Sequence, residues 1–132
     1  MIDILETERI KEAIANHPAD VLKEIETSGT IGICITNGLG NFVAVNSAYT
    51  KIYGYSKEEL IGKSFLMVVP PTNKEKMDLL HKKFLRDKKE IAREWGVITK
   101  DGDTVSISVD TAFSDKIFDH TPHKITFVHR ES

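Results

Sequence analysis

One cysteine, four prolines and no apolar run longer than Phe65–Val69 set the first limits on this chain of 132 residues. Cys34 alone makes no internal disulfide and no cysteine-rich metal site, which fits a reducing compartment and a cytoplasmic location. No segment has the length of a membrane span, and no basic stretch leads into an apolar one near Met1, so neither an anchor nor a signal peptide is expected. Charge of one sign is also scarce. The 18 basic residues face 20 acidic ones, a formal net charge of −2. Such a surface attracts polyanions weakly, and neither nucleic acid nor membrane is an expected partner. The sequence also lacks a Walker phosphate loop, a Rossmann glycine fingerprint and a Gly-x-Ser-x-Gly elbow. Asp101 and Asp103 flank a turn glycine, where turn geometry and solvation explain them better than paired-carboxylate chemistry. No enzyme is expected.

What is present suffices for one core. Hydrophobic residues make up 40% of the chain and aromatic ones 8%, and a domain of this size buries about two-thirds of its unfolded surface. Ile10, Ala13 and Ile14 have helical spacing; Pro18 interrupts the helix, and Val21, Leu22 and Ile25 restart a short amphipathic one that Ser28-Gly29 ends. Thr30–Thr36 reads as a strand, Asn37-Gly38-Leu39-Gly40 as a turn, and Phe42–Val45 as the returning strand. Asn46 caps a helix that directs Tyr49, Ile52 and Tyr53 inward and stops at Gly54. Ser56 and Glu59 have capping-box spacing, and Thr72 and Glu75 repeat it before a longer helix with Met77, Leu80, His81 and Phe84 on one stripe. The other side of that helix carries Lys82, Lys83, Arg86, Lys88 and Lys89, read as a solvated face.

Beyond Lys89 the period becomes two. Ile91, Arg93, Trp95, Val97 and Thr99 share one face, with Trp95 and Val97 the preferred inward pair. Lys100-Asp101-Gly102-Asp103 signals a hairpin into Val105, Ile107 and Val109, whose alternation with Ser106, Ser108 and Asp110 predicts one wet face. A loop over Ser114–Pro122 leads to an edge or closing strand with Ile125 and Phe127 on one face. This order gives an α+β domain with a five-stranded antiparallel sheet, helices between its second and third strands, and two flanking helices at its start. Residues 1–29 form the flanking helices and residues 30–130 the main domain.

The run from Gly38 through Asn41-Phe42 and Asn46 to Tyr49, followed by Gly54-Tyr55-Ser56 and Glu59-Leu60-Ile61-Gly62, resembles a PAS (Per-Arnt-Sim) sensory domain. Pro70, Glu94 ahead of the Lys100-Asp101-Gly102 hairpin, and the three final strands support the likeness, which covers residues 30–130. The resemblance implies a cytoplasmic sensory or regulatory module that couples a small ligand or a partner to altered packing and oligomerisation. Haem, flavins and metabolites are the family's ligands, and many members hold no tight chromophore. Flavin photochemistry in the family uses a cysteine within a Gly-Arg-Asn-Cys-Arg-Phe-Leu-Gln stretch, whereas Gly62-Lys63-Ser64-Phe65-Leu66 holds no thiol. An axial haem histidine comes from the long helix; His81 lies one turn beyond that place, which Met77 occupies more nearly.

No residue fixes the cofactor. Met77, Leu80, His81, Phe84, Trp95, Val97, Ile107 and Val109 are the candidate pocket residues. His120, His123 and His129 with Asp119 lack a fixed four-ligand geometry and are read as solvated or locally bonded. Ile10, Ile14, Val21 and Ile25 can make a homodimer seam or dock on their own sheet. His129-Arg130-Glu131-Ser132 departs from the Asp-Ile-Thr ending common before a family output linker, so the output protein or domain stays open. The alternatives to a ligand sensor are a haem-based gas or redox sensor and a ligand-free interaction or dimerisation module.

Overall fold

Asp3 opens helix α1 (Ile4–Asn16) by accepting the Glu6 amide, and the helix buries Thr7, Ile10 and Ile14 along one side. This computed structural model describes residues 3–90 and 93–131. Pro18 starts a 3-10 turn, followed by the single turn of α2 (Val21–Glu24) and another 3-10 turn, Ile25–Thr27. Leu22 was expected inward but is 56% exposed. With only one helical turn, α2 directs Val21 and Ile25, four residues apart, into the core and leaves Leu22 outside.

Strands β1 (Gly32–Asn37) and β2 (Phe42–Val45) form the first hairpin, and α3 (Ser47–Tyr53) follows directly. Asn46 caps α3 and Gly54 ends it with φ 79°, a conformation glycine adopts without a Cβ penalty. Ser56 and Glu59 form a reciprocal capping box at α4 (Lys57–Leu60). Expectation and structure part at the next start. Thr72 lies inside the 3-10 turn Pro71–Asn73, and α5 (Lys74–Asp87) begins after Asn73 without a side-chain cap, because the Pro70-Pro71 pair sets up that turn first.

The remaining strands are β3 (Arg93–Ile98), β4 (Thr104–Ser114) and β5 (His123–Arg130), with the Thr99–Asp103 turn closing the β3–β4 hairpin. Ile91 and Ala92, expected in β3, lie outside the described residues. The sheet is antiparallel throughout, in the order β2-β1-β5-β4-β3. The last strand is therefore the central one, not an edge: β5 pairs with β1 on one side and β4 on the other. Its loop is shorter than expected, since β4 continues through Ser114 by pairing with His123.

Both faces of the sheet are covered. On one, Ile10, Ile14, Val21 and Ile25 pack with Ile33, Ile35, Ile125 and Phe127, so these four side chains are engaged with their own sheet. On the other, Tyr49, Tyr53, Leu60 and Val68 pack with Val97, Ile107, Val109 and Val128. The expected wet face of β4 is wet only at Ser106. Ser108 is buried and donates its hydroxyl to Glu131, while Asp110 pairs with Lys11 of α1 at 2.7 Å. Asp110 meets the flank of α1 and Ser108 meets the residue that follows β5, which alternation within β4 alone does not reveal. Among the described residues, no helix is long and apolar enough to cross a membrane.

Glu59 also receives Lys100 Nζ at 2.6 Å, tying α4 to the β3–β4 turn. That bond and the Ser56 amide pull the Glu59 carboxyl down to about 2 from its usual 4.5. A depressed folded-state pKa stabilises the fold above the unfolded value and loses that contribution as pH falls through the folded one. Glu59→Gln is therefore expected to melt below the wild type at pH 7. The gap should close between about pH 5 and pH 2 in thermal scans by circular dichroism; a gap independent of pH would leave the Lys100 contact without a role.

Candidate ligand cavity

Asn46 organises the entrance to the helical side. Its Oδ1 accepts the amides of Ile33 at 2.8 Å and Tyr49 at 2.9 Å, and its Nδ2 donates to the carbonyls of Ile25 at 2.7 Å and Ile31 at 3.0 Å. One side chain thus joins the flanking helices, β1 and α3. Tyr49 and Tyr53 stack at 4.2 Å beneath it, and burial pushes both phenols above their usual range, leaving them neutral donors. Cys34, on the same side of β1, is likewise buried, and desolvation pushes its thiol up to about 11. A protonated buried thiol is inert as a nucleophile.

Between this side of the sheet and the helices lies a cavity of about 100 Å³. Of the residues singled out from sequence, Met77, Leu80, His81, Trp95, Val97, Ile107 and Val109 border it. Phe84 does not. It is fully buried behind the cavity, 6.2 Å from the Phe113 ring, with Lys124 Nζ 4.8 Å from its own centroid. Sequence reasoning missed Cys34, Tyr49, Glu90, Lys124 and Thr126 as cavity residues. For Lys124 and Thr126 the signal was there: they alternate with Ile125 and Phe127, so a central strand would send them to the other covered face.

His81 is only 3% exposed and its ring lies 5.4 Å from that of Phe65. Its Nε2 is 3.2 Å from the Asn37 carbonyl and 3.3 Å from that of Gly38. Carbonyl oxygens only accept, so Nε2 carries the proton and donates to both. Burial, then the charge of Lys124, lowers the imidazole pKa from 6.5 and keeps the ring neutral at pH 7. The hairpin turn reaches this histidine because Gly40, at φ 82°, lacks a Cβ; one there would sit 3.1 Å from the Phe65 ring.

Lys124 Nζ and Glu90 pair at 3.0 Å, with side chains 13% and 10% exposed. Elsewhere, His123 Nδ1 meets the Thr121 carbonyl at 2.8 Å. Among the described residues no group of three or more His, Cys, Asp or Glu is placed to hold a metal ion.

A five-stranded antiparallel sheet with helical segments between its second and third strands, hollow on their side, is the architecture of a sensory α+β module. Residues 42–125, more than half of the chain, match the family model described as the PAS fold, and the chain belongs to that family. As a member of that family it is a sensory and regulatory domain. A search of curated proteins finds no match. Among solved structures, the PAS domain of a Desulfitobacterium hafniense protein is 20% identical with a TM-score of 0.71, covering 80% of this chain and 96% of that one. The PAS domain of a Colwellia psychrerythraea protein is 19% identical at a TM-score of 0.68, covering 92% and 97%. The PAS-B domain of Drosophila melanogaster Cycle, with bound ethylene glycol, is 15% identical at 0.65, covering 76% and 99%. At these identities the likeness is one of fold.

Proposed function

We propose that this is a cytoplasmic sensory domain whose cavity binds a small, largely apolar molecule and whose sheet passes occupancy to the flanking helices and on to an output protein or domain. The observation that carries the reading is the cavity itself, walled by Met77, Leu80, Trp95, Val97, Ile107 and Val109 with a few polar groups among them. Its 100 Å³ is below the roughly 300–1,000 Å³ of drug-sized sites, so the ligand has few heavy atoms. Drosophila Cycle PAS-B carries bound ethylene glycol, a molecule of that size, which supports the reading as to volume. Haem fits poorly, since the volume is too small and His81 Nε2 is committed to two carbonyls.

n-Butanol is expected to bind saturably and raise Tm, by about 2.7 kcal/mol of added stability at a hundred times its Kd. Val109→Phe, which fills the space, should abolish that shift while remaining folded. No saturable change in the resonances of Trp95, Val97 and Ile107 would overturn the cavity reading.

A second reading has its own observation. Ile4, Leu5 and Leu22 stand 63%, 85% and 56% exposed on the flanking helices, and we infer a homodimer contact there rather than through the engaged Ile10, Ile14, Val21 and Ile25. Light scattering is expected to give twice the chain mass for the wild type and the monomer mass for Leu5→Glu/Leu22→Glu; a monomeric wild type would end this reading.

A further inference from the structure

Lys124 is an unusual residue for its place. It projects from the central strand of the sheet into the cavity, beside Thr126 and opposite α5, with its ammonium against the Phe84 ring. Lysine is rarely buried this far unless paired. Its partner Glu90 also borders the cavity, and these two are the only Lys, Arg, Asp or Glu side chains among the described lining residues. Stability does not explain them. A buried ion pair costs about as much in desolvation as it returns, and apolar residues of similar volume serve a fold at least as well.

The two partners are held differently. Lys124 stands on a strand paired on both sides, at Thr36 and Phe113. Glu90 belongs to no helix or strand; it lies past the α5 end, where Lys88 takes φ 62°, and before β3. Lys124 is fixed by pairing on both sides, whereas no helix or ladder bond holds Glu90. Next after Val109 on the cavity side of β4, the Thr111 hydroxyl is buried with no hydrogen-bond partner among the described residues. His81 is neutral with Nε2–H already donated, which leaves Lys124 as the cation an incoming anion meets.

We propose that the cavity takes a small aliphatic monocarboxylate, whose carboxylate replaces Glu90 at Lys124 Nζ while its short chain fills the apolar space. This rests on the reading of the cavity as a ligand site and names the ligand's class. It also gives binding a local output, because the displaced Glu90 no longer ties the connector between α5 and β3 to the central strand. The volume suits a chain of about four carbons, given that a cavity of about 150 Å³ accommodates benzene.

Butyrate, n-butanol and n-butylamine are the probes, titrated into the full chain and followed by amide and Lys124 side-chain resonances. Butyrate is expected to bind more tightly than n-butanol, and n-butylamine not to bind. Glu90→Gln removes the internal competitor and should tighten butyrate about tenfold while leaving n-butanol unchanged. Glu90→Gln/Lys124→Met replaces both charges, so no unpaired ion is left behind; it should keep n-butanol and lose butyrate by about 30-fold. If the double variant fails to fold, the Glu90→Gln comparison carries the test alone. Binding of n-butanol without butyrate, or equal butyrate affinity in wild type and Glu90→Gln, would overturn the carboxylate proposal and leave the cavity reading standing. Binding of neither probe, to wild type or Glu90→Gln, would overturn both.

Discussion

Asn46→Ala is expected to destabilise the domain by about 4 kcal/mol and to lower Tm by roughly 15 °C. The side chain is 1% exposed and makes four hydrogen bonds. Its removal strands two amides, of Ile33 and Tyr49, and two carbonyls, of Ile25 and Ile31. Each orphaned buried group costs on the order of 1–3 kcal/mol before relaxation, well beyond the roughly 1 kcal/mol of an ordinary helix cap. Asn46→Asp separates the two halves of that role. A carboxylate keeps the acceptor for Ile33 and Tyr49 but faces the Ile25 and Ile31 carbonyls with negative charge. Protonation restores one donor, so the folded-state pKa of this aspartate is raised. Its variant should therefore recover stability as pH falls through that value and lose it as pH rises. Urea denaturation at pH 5 and pH 8 checks both variants, and a loss below about 1 kcal/mol for Asn46→Ala would reduce Asn46 to a simple cap.

Phe84→Ala should cost about 4 kcal/mol, the range for truncating a fully buried phenylalanine. Phe84→Leu should cost about 1.5 kcal/mol, because most of the volume is kept. The reason is more than the void. The ring lies between Phe113 and the Lys124 ammonium, so truncation also takes away the surface against which that buried cation rests. Guanidinium denaturation of the two variants measures the difference, and similar losses for both would place the effect in the backbone of α5 rather than in the ring.

The local chemistry of the chain was plain in its residues. Asn46, Gly54 and the Ser56–Glu59 pair announced their helix ends because each signal acts within four residues. The α5 stripe and the alternation of β3 and β4 led to seven cavity residues for the same reason: period alone decides which side chains share a face. Two of the errors concern what lies opposite. Ser108 and Asp110 looked solvated until Glu131 and Lys11 of α1 were laid against them, and β5 looked peripheral because its position depends on β1, about ninety residues earlier in the chain. Read as an edge or closing strand, β5 gave no reason to bring Lys124 and Thr126 into the site. Glu90 had no periodic element to flag it. Thr72 and Glu75 carried the right spacing but lost the competition to two prolines beside them.

Alternation along β5 has one more consequence. Lys124 and Thr126 look into the hollow, while their immediate neighbours Ile125 and Phe127 are embedded among the flanking helices. On the proposed reading, an occupant of the hollow would press on the same ribbon whose other face already touches the flanking helices, and the hydrogen bonds to β1 and β4 join that ribbon to both of its neighbours.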